Sequence, residues 1–185
     1  FHTKPEIKAL PIVAVKVKGR GKDVIVTTYA LLDSSSTSSW YSESLAKRLD
    51  VIGSRVQVSL STVETDSIPL SCCRVNLEVM DIAIVSVVEL PDALTKDKLN
   101  VSTDCVSSQD DVDRWPHLLN IKVPKVIRSD AELFIGQDVP EALEPCEIRS
   151  CPGKGPYAMK TKFGWTSNAL GRHSCFVKCY VNFIR

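Results

Sequence analysis

Val13, Val15 and Val17 alternate with Ala14, Lys16 and Lys18, the two-residue period of a strand with one buried face, and Gly19-Arg20-Gly21 closes the run with a turn. From Asp23 to Leu32 a second apolar, β-branched run (Val24, Ile25, Val26, Tyr29, Leu31, Leu32) predicts the return strand, which ends abruptly at Asp33. A hairpin therefore delivers Asp33 to a loop. Ser34-Ser35-Ser36-Thr37-Ser38-Ser39 is loop chemistry, and Glu43 to Leu49, with Leu45, Ala46 and Leu49 apolar and Ser42 as N-cap, predicts a short helix. Alternation resumes at Val56, Val58 and Leu60 and again at Val75, Leu77 and Val79, a second hairpin with a polar tip at Thr65-Asp66-Ser67.

Ala83 to Leu90 predicts one more strand. Pro91 to Pro124, punctuated by Pro91, Pro116 and Pro124 and carrying Asp110, Asp111 and Asp113, reads as an insertion or a long functional loop. Glu132 to Ile135 returns to a strand that meets Gly136, and Val139 to Leu143 suits a short helix with Pro140 in its first turn. Tyr157 to Trp165 and Cys175 to Ile184 predict further strands. Many short strands and only two or three short helices place the chain in the all-β class, with a barrel-like fold.

Composition bounds this picture. The 185 residues fit one domain carrying a long insertion or tail, and 44% hydrophobic against 24% charged residues is enough to bury a core. The net charge of +1 gives no overall field toward nucleic acid or an anionic membrane. The charge is uneven, however: Cys151 to Arg185 contains no acid and carries Lys154, Lys160, Lys162, Arg172, Lys178 and Arg185. RNA contact through this basic end is the secondary reading; the end of the barrel plus a connection to a following segment is the primary one.

No apolar run has the length of a membrane span, and Phe1 to Lys8 lacks the features of a signal peptide, so the expectation is a soluble cytoplasmic protein without membrane attachment. The missing initiator Met suggests a chain cut from a longer one. The seven cysteines contain one adjacent pair, Cys72-Cys73, and no C-x-x-C, which argues against a disulfide framework and for a reducing compartment. His173, Cys175 and Cys179 match no standard zinc spacing, so no metal and no cofactor is expected.

Two local patterns carry chemistry. The first is an apolar strand, Tyr29-Ala30-Leu31-Leu32, running into Asp33 and a row of hydroxyls; a carboxylate so placed can be held ionised or shared with a second carboxylate for general acid and base work. An ordinary Ser-rich turn opened by Asp explains the same string. The second is Leu133-Phe134-Ile135-Gly136-Gln137-Asp138, which alone is a strand end before a helix. Together, an apolar run into Asp-Ser and a later apolar-Gly-x-Asp resemble the two-part signature of retroviral-type aspartic proteases.

Further strings narrow the resemblance: Ala30 to Ser39 around Asp33, Ser42-Glu43-Ser44-Leu45-Ala46, Arg114-Trp115-Pro116-His117-Leu118, Ile135 to Pro140, Pro156-Tyr157-Ala158 and Phe163-Gly164-Trp165-Thr166. In that order they resemble the protease region of Bel/Pao-type LTR retrotransposon polyproteins, from about Leu10 to Trp165. The resemblance implies a retropepsin-like closed β-barrel with one or two short helices and an active site at a homodimer interface. It implies an intracellular aspartic endopeptidase that cleaves its own polyprotein with Asp33 from each of two subunits. Ser34 would hydrogen-bond across the dimer, Ser36 would bond the outer oxygen of Asp33, and Gly136, with Ile135 and Asp138 beside it, would let the strand pass closely behind the loop. The hairpin from Arg55 to Val79 would be the flap, with Thr62, Thr65 and Asp66 near its tip. Residues 1–165 would form the protease domain, with the insertion at about 91–124, and 166–185 a basic strand or linker.

The sequence departs from the family at Ser35, where the motif has Gly, and in a proposed flap tip, Ser61 to Pro69, without Gly. The alternative implied by Ser35 is an inactive retropepsin-like dimerisation or peptide-binding module.

Overall fold

The computed structural model describes residues 9–62, 66–101, 103–125, 130–168 and 183–184. Strands β1 (Ile12–Gly19) and β2 (Ile25–Leu32) form the expected hairpin in the register Ile12↔Leu31 to Lys18↔Ile25. The chain continues through β3 (Trp40–Ser42), helix α1 (Glu43–Leu49), β4 (Ser54–Ser61), β5 (Ile68–Met80) and β6 (Val87–Lys96). After α2 (Gln109–Asp113) come β7 (Ala131–Ile135), α3 (Pro140–Leu143), β8 (Glu147–Arg149), β9 (Tyr157–Thr161), β10 (Gly164–Asn168) and β11 (Phe183–Ile184).

Hydrogen-bonded neighbours run β1-β2-β7-β3-β6-β5, and β5 returns to β1, so six strands close into a barrel. Closure removes the free edges that an open sheet would expose. β7 lies parallel to β2 and antiparallel to β3, and β3 lies parallel to β6. Parallel pairs need long connections, which is why β7, a hundred residues later in the chain than β2, can lie beside it.

The alternation in β1 sets the core. Val13, Val15 and Val17 point into the barrel with Ala30, Leu32, Leu77, Val79, Leu90, Leu133 and Ile135. Ile12 and Ala14, on the opposite face, are buried too, in a second cluster with Tyr29, Leu31, Trp40 and Phe134. The first half of β1 is thus covered on both sides, while Lys16 and Lys18 keep the polar face expected further along. Helix α1 begins as predicted: Ser42 Oγ accepts from the Leu45 amide at 3.0 Å, Leu45 and Leu49 are fully buried, and Asp50 ends the helix in the left-handed region.

Several expectations change. Residues 81–86 do not extend the strand expected from Ala83 to Leu90; they turn, with the Asp81 carboxylate accepting from the amides of Ala83, Val85 and Ser86. β6 starts at Val87 and runs through Pro91 to Lys96, so the long loop expected from Pro91 begins later. A bulge accommodates the proline: Leu77 faces Leu90 and Val75 faces Ala93, Asp92 takes φ 60°, and its amide donates to Asn76 Oδ1 at 3.1 Å. The rest of the insertion is folded. Val112, Leu118 and Ile121 share a third core cluster with Ala158 and pack against Trp115 and Trp165. Tyr157 to Trp165 is not one strand but the β9–β10 hairpin, turning at Lys162-Phe163, with β8 completing a three-stranded sheet.

β10 crosses residue 165, and Phe183 and Ile184 pair with Ser61 and Leu60 of β4, so the basic end returns to the large sheet. Most of the strand expected from Cys175 to Ile184, with His173, Cys175 and Cys179, lies outside the described residues. Cys105 takes part in a disulfide, so a fully reduced set of cysteines does not hold; Cys72, Cys73, Cys146 and Cys151 are free thiols. Among the described residues no helix is long and apolar enough to cross a membrane.

Candidate functional site

Asp33 sits one residue beyond β2, where the barrel pairing fixes its backbone. β2 and β7 run parallel in the register Leu31↔Phe134 and Leu32↔Ile135, and the Asp33 amide donates to the Ile135 carbonyl at 2.9 Å. The two sequence patterns, a hundred residues apart, therefore end side by side. Beyond this point both strands turn away, and each turn supports the other.

The Ser36 amide donates to the Asp33 carbonyl at 3.2 Å, and the Gln137 amide donates to the Ser36 carbonyl at 2.8 Å. The Gln137 side-chain amide reaches the Ser34 carbonyl at 3.1 Å. Asp138 grips the far end of the loop: its two carboxylate oxygens accept from the Ser39 amide at 2.9 Å and from Ser39 Oγ at 2.8 Å. Ser39 Oγ in turn accepts from the Gly136 amide at 3.1 Å, and Ser39 is fully buried. Gly136 passes so close to the loop that a Cβ there would lie 2.6 Å from the Ser38 carbonyl oxygen and 2.8 Å from that of Ser36. Ile135, Gly136 and Asp138 are thus assembled behind the Asp33 loop, and only glycine fits at 136.

Within the loop the hydroxyls are distributed differently from expectation. Ser36, expected to bond Asp33, is fully buried and donates its hydroxyl to the Ser38 carbonyl at 2.7 Å. Ser35 approaches the carboxylate instead: its amide donates to Asp33 Oδ1 at 3.0 Å and its hydroxyl to the same oxygen at 2.5 Å. The turn closed by the Ser36 amide on the Asp33 carbonyl has Ser34 and Ser35 at its centre and carries Ser35 back over the Asp33 side chain, which explains the exchange of roles. Asp33 is half-buried, and Ser34 and Ser35 are exposed at the loop apex. A half-buried carboxylate with two donors, open to solvent on one side, can take or give a proton to a group brought against it.

The hairpin expected as a flap exists, with pairs from Ser54↔Arg74 to Leu60↔Ile68. At its turn end Thr62 is half-buried and Asp66 exposed, while Thr65 lies outside the described residues. The Ser67 amide donates to Ser61 Oγ across the base of the turn at 3.2 Å.

Other chemistry is less suitable. Burial pushes the Cys72 thiol above its ordinary range, and the adjacent Cys73 adds to the effect, so Cys72 is an inert core thiol. His117 Nε2 lies 2.9 Å from the Pro156 carbonyl, which ties the insertion to the residue that leads into β9. At the opposite end of β7, buried Glu132 accepts from Thr28 Oγ1 at 3.1 Å and pairs with Arg48. A cavity of about 1070 Å³ opens beside that pair, between α1 and the segment after β6, and Asp33 does not line it. Among the described residues no group of three His, Cys, Asp or Glu side chains is placed to hold a metal ion.

Ser39 and Gln137 were not singled out by sequence. Ser39 ends a serine run in which nothing marks one hydroxyl as special; its partners lie 97 and 99 residues away. Compared with protein-family models, curated proteins and solved structures, the chain matches none of them.

Proposed function

We propose that the chain is one half of a retropepsin-like aspartic endopeptidase, with the complete site formed by two copies of Asp33 at a homodimer interface. The observation that carries this reading is the arrangement of β2 and β7: a parallel pair ends in Asp33 on one strand and Gly136 on the other, with the Asp33 amide bonded to the Ile135 carbonyl and the Gly136 amide to Ser39 Oγ at the far end of the Asp33 loop. Such bracing holds a carboxylate in place at the rim of a closed barrel, as a preorganised site requires. One chain supplies one such carboxylate, and a two-fold axis beside the exposed Ser34 and Ser35 supplies the second.

Two carboxylates brought together share one proton, because both cannot readily ionise at short range. The ionised Asp33 takes a proton from a water, whose oxygen attacks the scissile carbonyl carbon, while the protonated Asp33 gives its proton to the carbonyl oxygen. The resulting tetrahedral diol collapses with transfer of a proton to the leaving nitrogen. The substrate is a polypeptide, under the retrotransposon resemblance the chain's own polyprotein. An inactive dimerisation or peptide-binding module is the second reading, favoured by one observation: Ser35, in place of glycine, bonds the carboxylate.

The test is cleavage of a mixed peptide library at mildly acidic pH by the full chain and by Asp33→Asn, with products identified by mass spectrometry. Cleavage that rises faster than linearly with enzyme concentration, and falls by about a thousandfold or more in Asp33→Asn, is expected. Equal cleavage by the Asn variant, or none by the chain and by its Ser35 variants, overturns the reading.

A further inference from the structure

The two donors on Asp33 fall on one oxygen. An ionised carboxylate has roughly two lone-pair directions on each oxygen. On Oδ1 the Ser35 amide takes one at 3.0 Å and the Ser35 hydroxyl takes the other at 2.5 Å, in the short range of a charge-assisted O–H···O⁻ bond. No described residue donates to Oδ2. A glycine at position 35 would leave the amide bond and free the second direction.

The hydroxyl is also held in place. The Ser34 carbonyl accepts from the Gln137 side chain at 3.1 Å and the Ser36 amide donates to the Asp33 carbonyl at 3.2 Å, so the two peptide groups flanking Ser35 are each hydrogen-bonded, one to the segment after β7 and one across the turn; the Ser36 carbonyl beyond them accepts from the Gln137 amide. The Ser35 Cα cannot drift away from the carboxylate without breaking those bonds; only rotation about χ1 releases the hydroxyl. That rotation is fast, so its effect on a reaction is set by the free energy of the bond lost.

We infer that the Ser35 hydroxyl is a latch on Asp33: it fills the second direction of Oδ1, closing that oxygen to a water or a partner carboxylate, and a donor on one oxygen holds back the charge that the open Oδ2 would use in attack. This rests on the paired-carboxylate reading, and it makes Ser35 a positioning residue that sets the working rate of the site. The hydroxyl, and not the added Cβ, is the controlling atom, because Ser35 is exposed and its Cβ has solvent beside it. Alanine should then release Asp33 as well as glycine does, and threonine, which restores the hydroxyl, should not.

The experiment has two arms on the full chain and its Ser35→Ala, Ser35→Gly and Ser35→Thr variants. The first is esterification by a nitrophenoxy epoxide, followed at the Asp33 peptide by mass spectrometry. A carboxylate oxygen attacks the terminal epoxide carbon, the ring C–O bond breaks, and the ring oxygen takes a proton from water, leaving a hydroxyalkyl ester. This arm does not need the chain to cleave anything. The second is peptide cleavage, with kcat and KM determined separately. Esterification of Asp33 at least about tenfold faster in both the Ala and Gly variants, with Thr at the rate of the native chain, is the expected result. In the cleavage arm kcat rises by a similar factor and KM stays within about twofold.

Acceleration in Ser35→Gly alone assigns the effect to the Cβ and overturns the latch, as does acceleration in neither variant. If esterification responds as expected but no variant cleaves peptide, the endopeptidase reading fails and the latch stands.

Discussion

Replacing Gly136 with alanine places a methyl carbon 2.6 Å from the Ser38 carbonyl oxygen, 2.8 Å from the Ser36 carbonyl oxygen and 2.8 Å from the Ser38 carbonyl carbon. Comfortable contacts for a carbon atom lie near 3.5 Å, so the loop must retreat by something under ~1 Å. All three atoms belong to the backbone, and no side-chain rotation relieves them. Both carbonyls are also engaged: Ser36 accepts from the Gln137 amide at 2.8 Å and Ser38 from Ser36 Oγ at 2.7 Å. Overpacking costs about 1–3 kcal/mol and each of the two hydrogen bonds about 1 kcal/mol, so Gly136→Ala should destabilise by roughly 3 kcal/mol. In a chain of this length that lowers Tm by about 6–12 °C. Gly153→Ala is the control, since a Cβ there meets nothing within 4 Å, and should stay within about 0.5 kcal/mol of the parent. Equilibrium urea unfolding followed by tryptophan fluorescence measures both. A Gly136→Ala chain as stable as the Gly153→Ala chain would refute the close passage of β7 behind the Asp33 loop.

Arg48→Met leaves the buried carboxylate of Glu132 without its cation, a loss expected to cost about 3 kcal/mol in urea unfolding; adding Glu132→Gln should recover at least half. A double variant no more stable than the single one would show that the ion pair is not the source of the loss. Ile84 is a β-branched residue at φ 57° and 47% exposed, in the turn capped by Asp81. Ile84→Gly relieves that backbone strain at little cost in packing and should raise stability by about 0.5–1 kcal/mol. A fall in Tm would count against the strained turn.

The strands that carry the site were readable where burial is one-sided. The Val13-Val15-Val17 alternation places the barrel face of β1 directly, and Ser42 at the start of Glu43–Leu49 names its own cap. Turns governed by one side chain were harder. Asp81 organises residues 81–86 by accepting three amides, and the apolar string Ala83-Ile84-Val85 conceals that behind a strand-like composition. Pro91 suggested a break, yet a proline at a bulge costs the ladder no hydrogen bond it would otherwise make, so β6 continues through it. The three-residue β3 has no period long enough to detect.

For the candidate site, the residue types were legible and their partnerships were not. Asp33 at a strand end, the hydroxyl-rich loop after it and the Ile-Gly-x-Asp string are local facts of the chain, because strand period, turn chemistry and the special freedom of glycine act over a few residues. Which hydroxyl meets the carboxylate is decided by the path of the loop once Gln137 and Asp138 have fixed it from 103 and 99 residues away, and that path hands Asp33 to Ser35 and turns Ser36 inward. Long-range pairing of this kind leaves no periodic trace in a sequence; it exists only when β7 closes the barrel beside β2 and brings the two turns into contact.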